Sequence, residues 1–239
     1  MVGKLKLTLD QIHWSLVLRA VLFGLVWFFL PLWAFFIVAA YLYLVPLFRP
    51  FRLAPPLLIT LFFAAVHTPS FWLAVLLAVL FYLILGIKDL IFIDRFSAYE
   101  LLALLIVFVM LVKFFSFYSG GFVNAAFFAS SLMAGAYFLL VRSFGDYEVN
   151  LRTGGSFPRR LNVFAAATAF IFWQLALSLL FLPLNYFYQS AVLFVVAAVF
   201  IEWLRDYLAH NLRRSKLLWS FSILFVVLIL VFGTVEWGL

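Results

Sequence analysis

Residues 70–87 read SFWLAVLLAVLFYLILGI, an uninterrupted apolar run without a single charged side chain. Such a run approaches the roughly 20 residues that carry an α-helix across about 30 Å of hydrocarbon. A core helix of a water-soluble protein keeps a polar stripe toward solvent, and this stretch has none. Its composition is that of the whole chain: of 239 residues, 69% are apolar and 10% charged, with 33 Phe and 8 Trp. Ordinary soluble domains are about 45–50% apolar and about 25% charged. The fold class expected is therefore all-α, a polytopic bundle of transmembrane helices forming a single integral membrane domain over residues 1–239.

Charges and Pro/Gly breaks divide the rest of the chain into further segments of the same kind. Before residue 70 lie Trp14 to Phe29, Leu32 to Phe48 after the turn at Leu30-Pro31, and a short Leu53 to Val66, which either spans or re-enters. Thr68-Pro69 reads as an N-cap followed by Pro at the first helical position, opening the fourth segment, Ser70 to Ile87. Ser97 and Glu100 have capping-box spacing and start a fifth that runs to Tyr118 and ends at Gly120-Gly121. The remaining segments are Phe122 to Val141, Leu161 to Leu182, Tyr186 to Trp203 and Leu217 to Trp237.

Lys and Arg collect in short cytoplasmic loops. Nine crossings with the N-terminus cytoplasmic and the C-terminus external put Lys4, Lys6, Arg19, Arg49, Arg52, Lys88, Arg95 and the clusters Arg142 to Arg160 and Arg205 to Lys216 inside. Lys113 alone falls outside, where its ammonium can snorkel to the interface. Joining the first four segments pairwise into two tilted helices gives seven crossings, with the same orientation of the termini, and leaves Arg49 and Arg52 outside. Lys4 and Lys6 precede an apolar run as in a signal peptide, but no small-residue cleavage site follows, so a retained first span in a plasma (inner) membrane is expected. The largest polar loop, Ser143 to Arg160, is too short to fold as a soluble domain. Phe29-Leu30-Pro31-Leu32 recurs as Phe181-Leu182-Pro183-Leu184, a four-residue echo at two hairpins that a Phe- and Leu-rich chain produces readily.

Composition also bounds the chemistry. Without Cys there is no disulfide, thiolate or cysteine-held metal. The three histidines, His13, His67 and His210, are widely separated, so neither a metal site nor a cofactor is expected. The net charge of +7 is accounted for by helix orientation, and nucleic acid is not expected as a partner. Acids sit at segment ends, Glu100 in a first turn and Glu202 and Glu236 at helix termini, which disfavours a pump that needs carboxylates near the midplane.

Phe63-Ala64-Ala65-Val66-His67 resembles the Phe-x-x-x-His motif of the CAAX-protease and bacteriocin-processing family of intramembrane proteases. That family also carries Glu-Glu-x-x-x-Arg upstream and a second His downstream. No paired glutamates occur here, so the resemblance stops short of a catalytic acid. A Gly-x-Ser-x-Gly elbow is absent too. The enzyme alternative, acting on a lipid or peptide, rests on His67, Glu100, Asp146, Glu148, Arg159 and Arg160.

A carrier of an apolar or zwitterionic solute would draw on Asn124, Trp173 and Gln174, the polar groups that fall inside spans, together with Ser130, Ser131, Thr168 and Ser178. Ala126, Ser130 and Ala134 repeat every four residues on the sixth segment, and Ala165 and Ala169 on the seventh, faces flat enough for close helix packing. Trp14, Trp27, Trp33, Trp72, Trp203, Trp219 and Trp237 fall near span ends as an interfacial belt. Arg205, Arg213, Arg214 and Lys216 continue the eighth segment as a basic strip suited to anionic lipid headgroups. Arg152, Arg159 and Arg160 beside Gly154-Gly155 could grip a phosphate, without Walker-type spacing. The function expected is a non-enzymatic membrane-embedded subunit, scaffold or carrier, with membrane lipids, other membrane proteins or a second copy as partners.

Overall fold

The structure is a computed structural model that describes residues 14–45, 53–66, 70–89, 95–118, 123–152, 159–208 and 214–234. Among these residues there are nine helices and no strand: α1 (Trp14–Phe29), α2 (Leu32–Leu44), α3 (Ala54–Val66), α4 (Phe71–Lys88), α5 (Arg95–Tyr118), α6 (Val123–Arg152), α7 (Arg159–Leu180), α8 (Tyr186–Leu208) and α9 (Arg214–Thr234). Six of them, α4 to α9, are long and apolar enough to cross a membrane, while α1, α2 and α3 are shorter. The chain is thus built as an integral membrane protein.

The chain groups into two compact units, Met1–Leu102 and Ala103–Leu239. In the first, α1 folds back onto α2 at Pro31, whose φ of −64° suits the position before the first helical residue and whose carbonyl accepts from Phe35 N–H at 3.0 Å. Arg19 and Val45 are 26 residues apart in sequence yet hydrogen-bonded, so α1 and α2 are the two arms of a hairpin. The core forms where α1 meets α4. Gly24 makes that approach possible: a Cβ there would stand 2.9 Å from the Ala74 carbonyl oxygen and 3.2 Å from the Ala78 Cβ. With Ala20 one turn before, Gly24 presents α1's small-residue face to Ala74 and Ala78 on α4. Phe23 fills the space beside it, stacked on Phe81 at 4.1 Å and edge-on to Phe35 of α2 at 5.1 Å. Trp27, expected in the interfacial belt, is instead buried, its Nε1–H donating to the Ala64 carbonyl of α3 at 2.8 Å.

In the second unit α6 packs along α7, and α7 returns into α8 through the turn at Phe181–Asn185. Tyr137 of α6 stacks on Phe172 of α7 at 4.3 Å. Gln189 locks the turn, its buried Nε2 donating to the carbonyls of Leu179 at 2.8 Å and Leu182 at 3.2 Å. Leu179 lies in the last turn of α7 and Leu182 in the turn beyond it, and the same carbonyls also accept from Leu182 N–H at 3.2 Å and Leu184 N–H at 2.7 Å. α9 lies against the end of α8 through Trp203–Phe221, 4.9 Å between centroids, so Trp203 is another belt residue turned inward.

Several element ends differ from expectation. The N-cap of α4 is Ser70, whose hydroxyl accepts from Leu73 N–H at 3.4 Å; Thr68 and Pro69 lie outside the described residues. α5 is already helical at Arg95, so Ser97 sits within its first turn rather than at its cap. α6 runs eleven residues beyond Val141 to Arg152, absorbing most of the expected loop. Arg142 marks the end of the apolar stretch, but between it and Gly154-Gly155 and Pro158 the single Gly145 costs a helix only about 1 kcal/mol and does not break it.

Candidate functional site

Buried ionisable groups are rare in membrane helices and need a partner, and here they converge at one end of the first unit. α4 ends on Lys88, with Asp89 as its C-cap; α2 carries Tyr43 in its last turn, ends on Leu44 and has Val45 as its C-cap; Arg19 lies a turn and a half into α1. The Lys88 side chain is 1% exposed and donates to the Tyr43 carbonyl. Its Nζ lies 4.9 Å from the centroid of the Tyr43 ring and 3.6 Å from Asp89 Oδ1. Arg19 Nη1 donates to the Val45 carbonyl at 2.8 Å and stands 3.9 Å from Asp89 Oδ2. Asp89 Oδ1 accepts no hydrogen bond, so its charge is met by the two cations through space.

The charges close on themselves. Two cations face one carboxylate and the C-terminal ends of α2 and α4, each equivalent to about half a negative charge. Among the described residues the cluster therefore offers no surplus charge to a free anion or cation. Its physical effect is to satisfy α2's terminal carbonyls, which otherwise have no donor, and to tie three helices at one level. The sequence carried the signal in two places: a Lys-Asp pair at the end of an apolar run, and an Arg inside the preceding one. Reading each as an isolated loop or snorkelling charge missed their meeting.

The second polar contact lies between α6 and α7. Trp173 Nε1–H donates to Ser130 Oγ at 3.1 Å, with Phe127 edge-on to the indole at 5.3 Å. Ser130 is buried, as are Ala165 and Ala169; Ala126 and Ala134 are half-buried. Trp173, half-buried, thus meets a hydroxyl of the neighbouring helix, whereas Gln174 points outward and is exposed. Ser131, Thr168 and Ser178 spend their hydroxyls on carbonyls of their own helices. Glu100 is half-buried in α5, in the first unit, and Ser130 and Trp173 lie in the second.

At the basic strip, Arg205 is exposed and Lys216 pairs with Asp206 at 2.9 Å. His67 and Arg213 lie outside the described residues, as do the side chains of Asn124, Asp146, Glu148, Arg152, Arg159, Arg160 and Arg214. Among the described residues no group of three or more His, Asp or Glu could hold a metal ion. Compared with known proteins, the chain matches no family model, and no curated protein or solved structure matches it significantly.

Proposed function

We propose that this protein is a non-enzymatic subunit, scaffold or carrier of the plasma membrane, whose helix faces bind lipid or other membrane proteins. The observation that supports this most is α9. Its apolar window, Ser215–Thr234, is only 6% buried, and exposed side chains from Leu218 to Leu230 surround the helix. A surface that apolar is stable only when covered by hydrocarbon or by another apolar helix. Nine crossings with a cytoplasmic N-terminus and an external C-terminus fit best with the hairpin of α1 and α2, since merging the two into one helix would set Arg19 and Val45 about 39 Å apart. Arg205 and the neighbouring basic residues then lie on the cytoplasmic side beside anionic headgroups.

Native mass spectrometry of the protein released gently from its own membrane tests this reading. Retention of a stoichiometric membrane-protein partner, or of lipid lost when Leu218 and Phe225 are both changed to Ser, is the expected result. A bare chain that turns over a lipid or peptide, with activity lost in Glu100→Gln, would contradict it.

A further inference from the structure

In the first unit α1, α2 and α3 are shorter than the span of an ordinary bilayer, unlike α4, and α1 and α2 carry exposed apolar side chains. α2 is bounded at both ends, by Pro31 and by the C-cap Val45, and its 13 residues rise about 20 Å. Pro46 follows, and the residue before a proline is driven out of helical conformation, so the end is fixed by sequence. The charged cluster sits at this same end, because Lys88 and Arg19 bond to the carbonyls of Tyr43 and Val45. At the other end Trp27 binds the Ala64 carbonyl, which brings the Pro31 turn level with the end of α3, just before the polar run His67-Thr68-Pro69-Ser70 of the sequence. Trp33 and Tyr41, both exposed, mark the two ends of α2 only about 12 Å apart along its axis. By contrast the apolar windows of α4 to α9, 18 to 22 residues each, rise about 27–33 Å.

A helix shorter than the hydrocarbon is accommodated by thinning the bilayer, by snorkelling or by association, and tilt only lowers it further. Enclosure by the protein's own helices does not apply to α2, since Leu32, Trp33, Phe36, Ile37 and Tyr41 are exposed. We propose that α1 and α2 present lipid with an apolar belt about 20 Å high, and that the bilayer thins by about a third where it meets them. The partner of this surface is a thinned lipid leaflet pair. The inference rests on the reading of the chain as membrane-embedded.

The chain has no Cys, so single-cysteine variants can carry a nitroxide without background removal. Leu18, Leu25, Leu30, Ile37 and Leu44 on the hairpin and Leu218, Phe225 and Leu230 on α9 are all exposed, which keeps the substitutions out of the core. In oleoyl phosphatidylcholine vesicles, the ratio of oxygen to nickel-chelate collision rates reads depth. The expected result places Leu18, Leu44 and Leu30 at headgroup depth, with Leu25 and Ile37 deepest. The hydrocarbon stretch is then about two-thirds as long on the hairpin as on α9. Hydrocarbon depth at Leu30 would mean that the hairpin dips in without crossing. The same depth at Leu18 and Leu44 would mean that the charged cluster is sunk in an unthinned bilayer. Either result overturns the proposal and leaves the membrane reading standing, whereas nickel access at every position, α9 included, overturns both.

Discussion

At the scale of single residues, Lys88 is the side chain whose environment is most demanding. It is almost fully enclosed and faces Asp89, whose Oδ1 accepts no hydrogen bond. Lys88→Met removes the closer cation and leaves Asp89 with a longer, partly solvated pairing to Arg19. A loss of about 3 kcal/mol is expected, seen as a lower Tm in detergent. Replacing Asp89 by Leu in the same chain removes the stranded charge and recovers part of that loss, which the double-mutant cycle measures. Arg19→Gln costs less, about 1 kcal/mol, because a quarter of that side chain is exposed to solvent screening. Gly24→Ala forces α1 from α4, at about 1–3 kcal/mol, since a methyl group meets a backbone carbonyl that cannot yield. Gly135→Ala, with nothing within 4 Å of its Cβ, leaves Tm unchanged or raised. The need for Gly24 was not legible in the sequence. A small residue in an apolar helix shows that close packing is possible, and the partner, Ala74 on a helix 50 positions away, is set by the fold.

At the scale of elements, helix existence was legible and helix ends were less so. The apolar runs located the nine helices seen among the described residues because length and absence of charge dominate in lipid. Ends were misplaced wherever charge was taken as a stop: α6 passes Arg142, and α5 starts at Arg95, because a charged residue leaves the membrane without leaving the helix. The contacts that fix neighbouring helices are single polar groups. Ser130→Ala deletes the acceptor of Trp173 and is expected to lower stability by about 0.6–2 kcal/mol, read by detergent melting of the purified chain. Gln189→Leu releases two carbonyls at the turn between α7 and α8 and should lower Tm further, while Gln174→Leu, on the outer face, should leave it unchanged. Sequence singled out Gln174 and passed over Gln189. Depth in a span is readable from position, but which face a side chain occupies requires knowing the neighbouring helix.

At the scale of the molecule, the described residues place a few polar groups, Lys88, Arg19, Asp89, Trp173 with Ser130, and Gln189, where they hold neighbouring elements together, while many large apolar side chains face outward. Crossing number follows from treating α1 and α2 as separate arms, and that is the point on which the side occupied by Arg49 and Arg52 and the proposed thin belt both depend. A single cysteine placed at Arg49, probed with a membrane-impermeant thiol reagent on intact cells, tests it most directly, with Leu30→Cys and Arg142→Cys beside it. Nine crossings predict that Leu30→Cys is labelled while Arg49→Cys and Arg142→Cys react only after permeabilisation. Labelling of Arg49→Cys on intact cells would contradict the account and place both ends of the first two helices on opposite sides of the membrane.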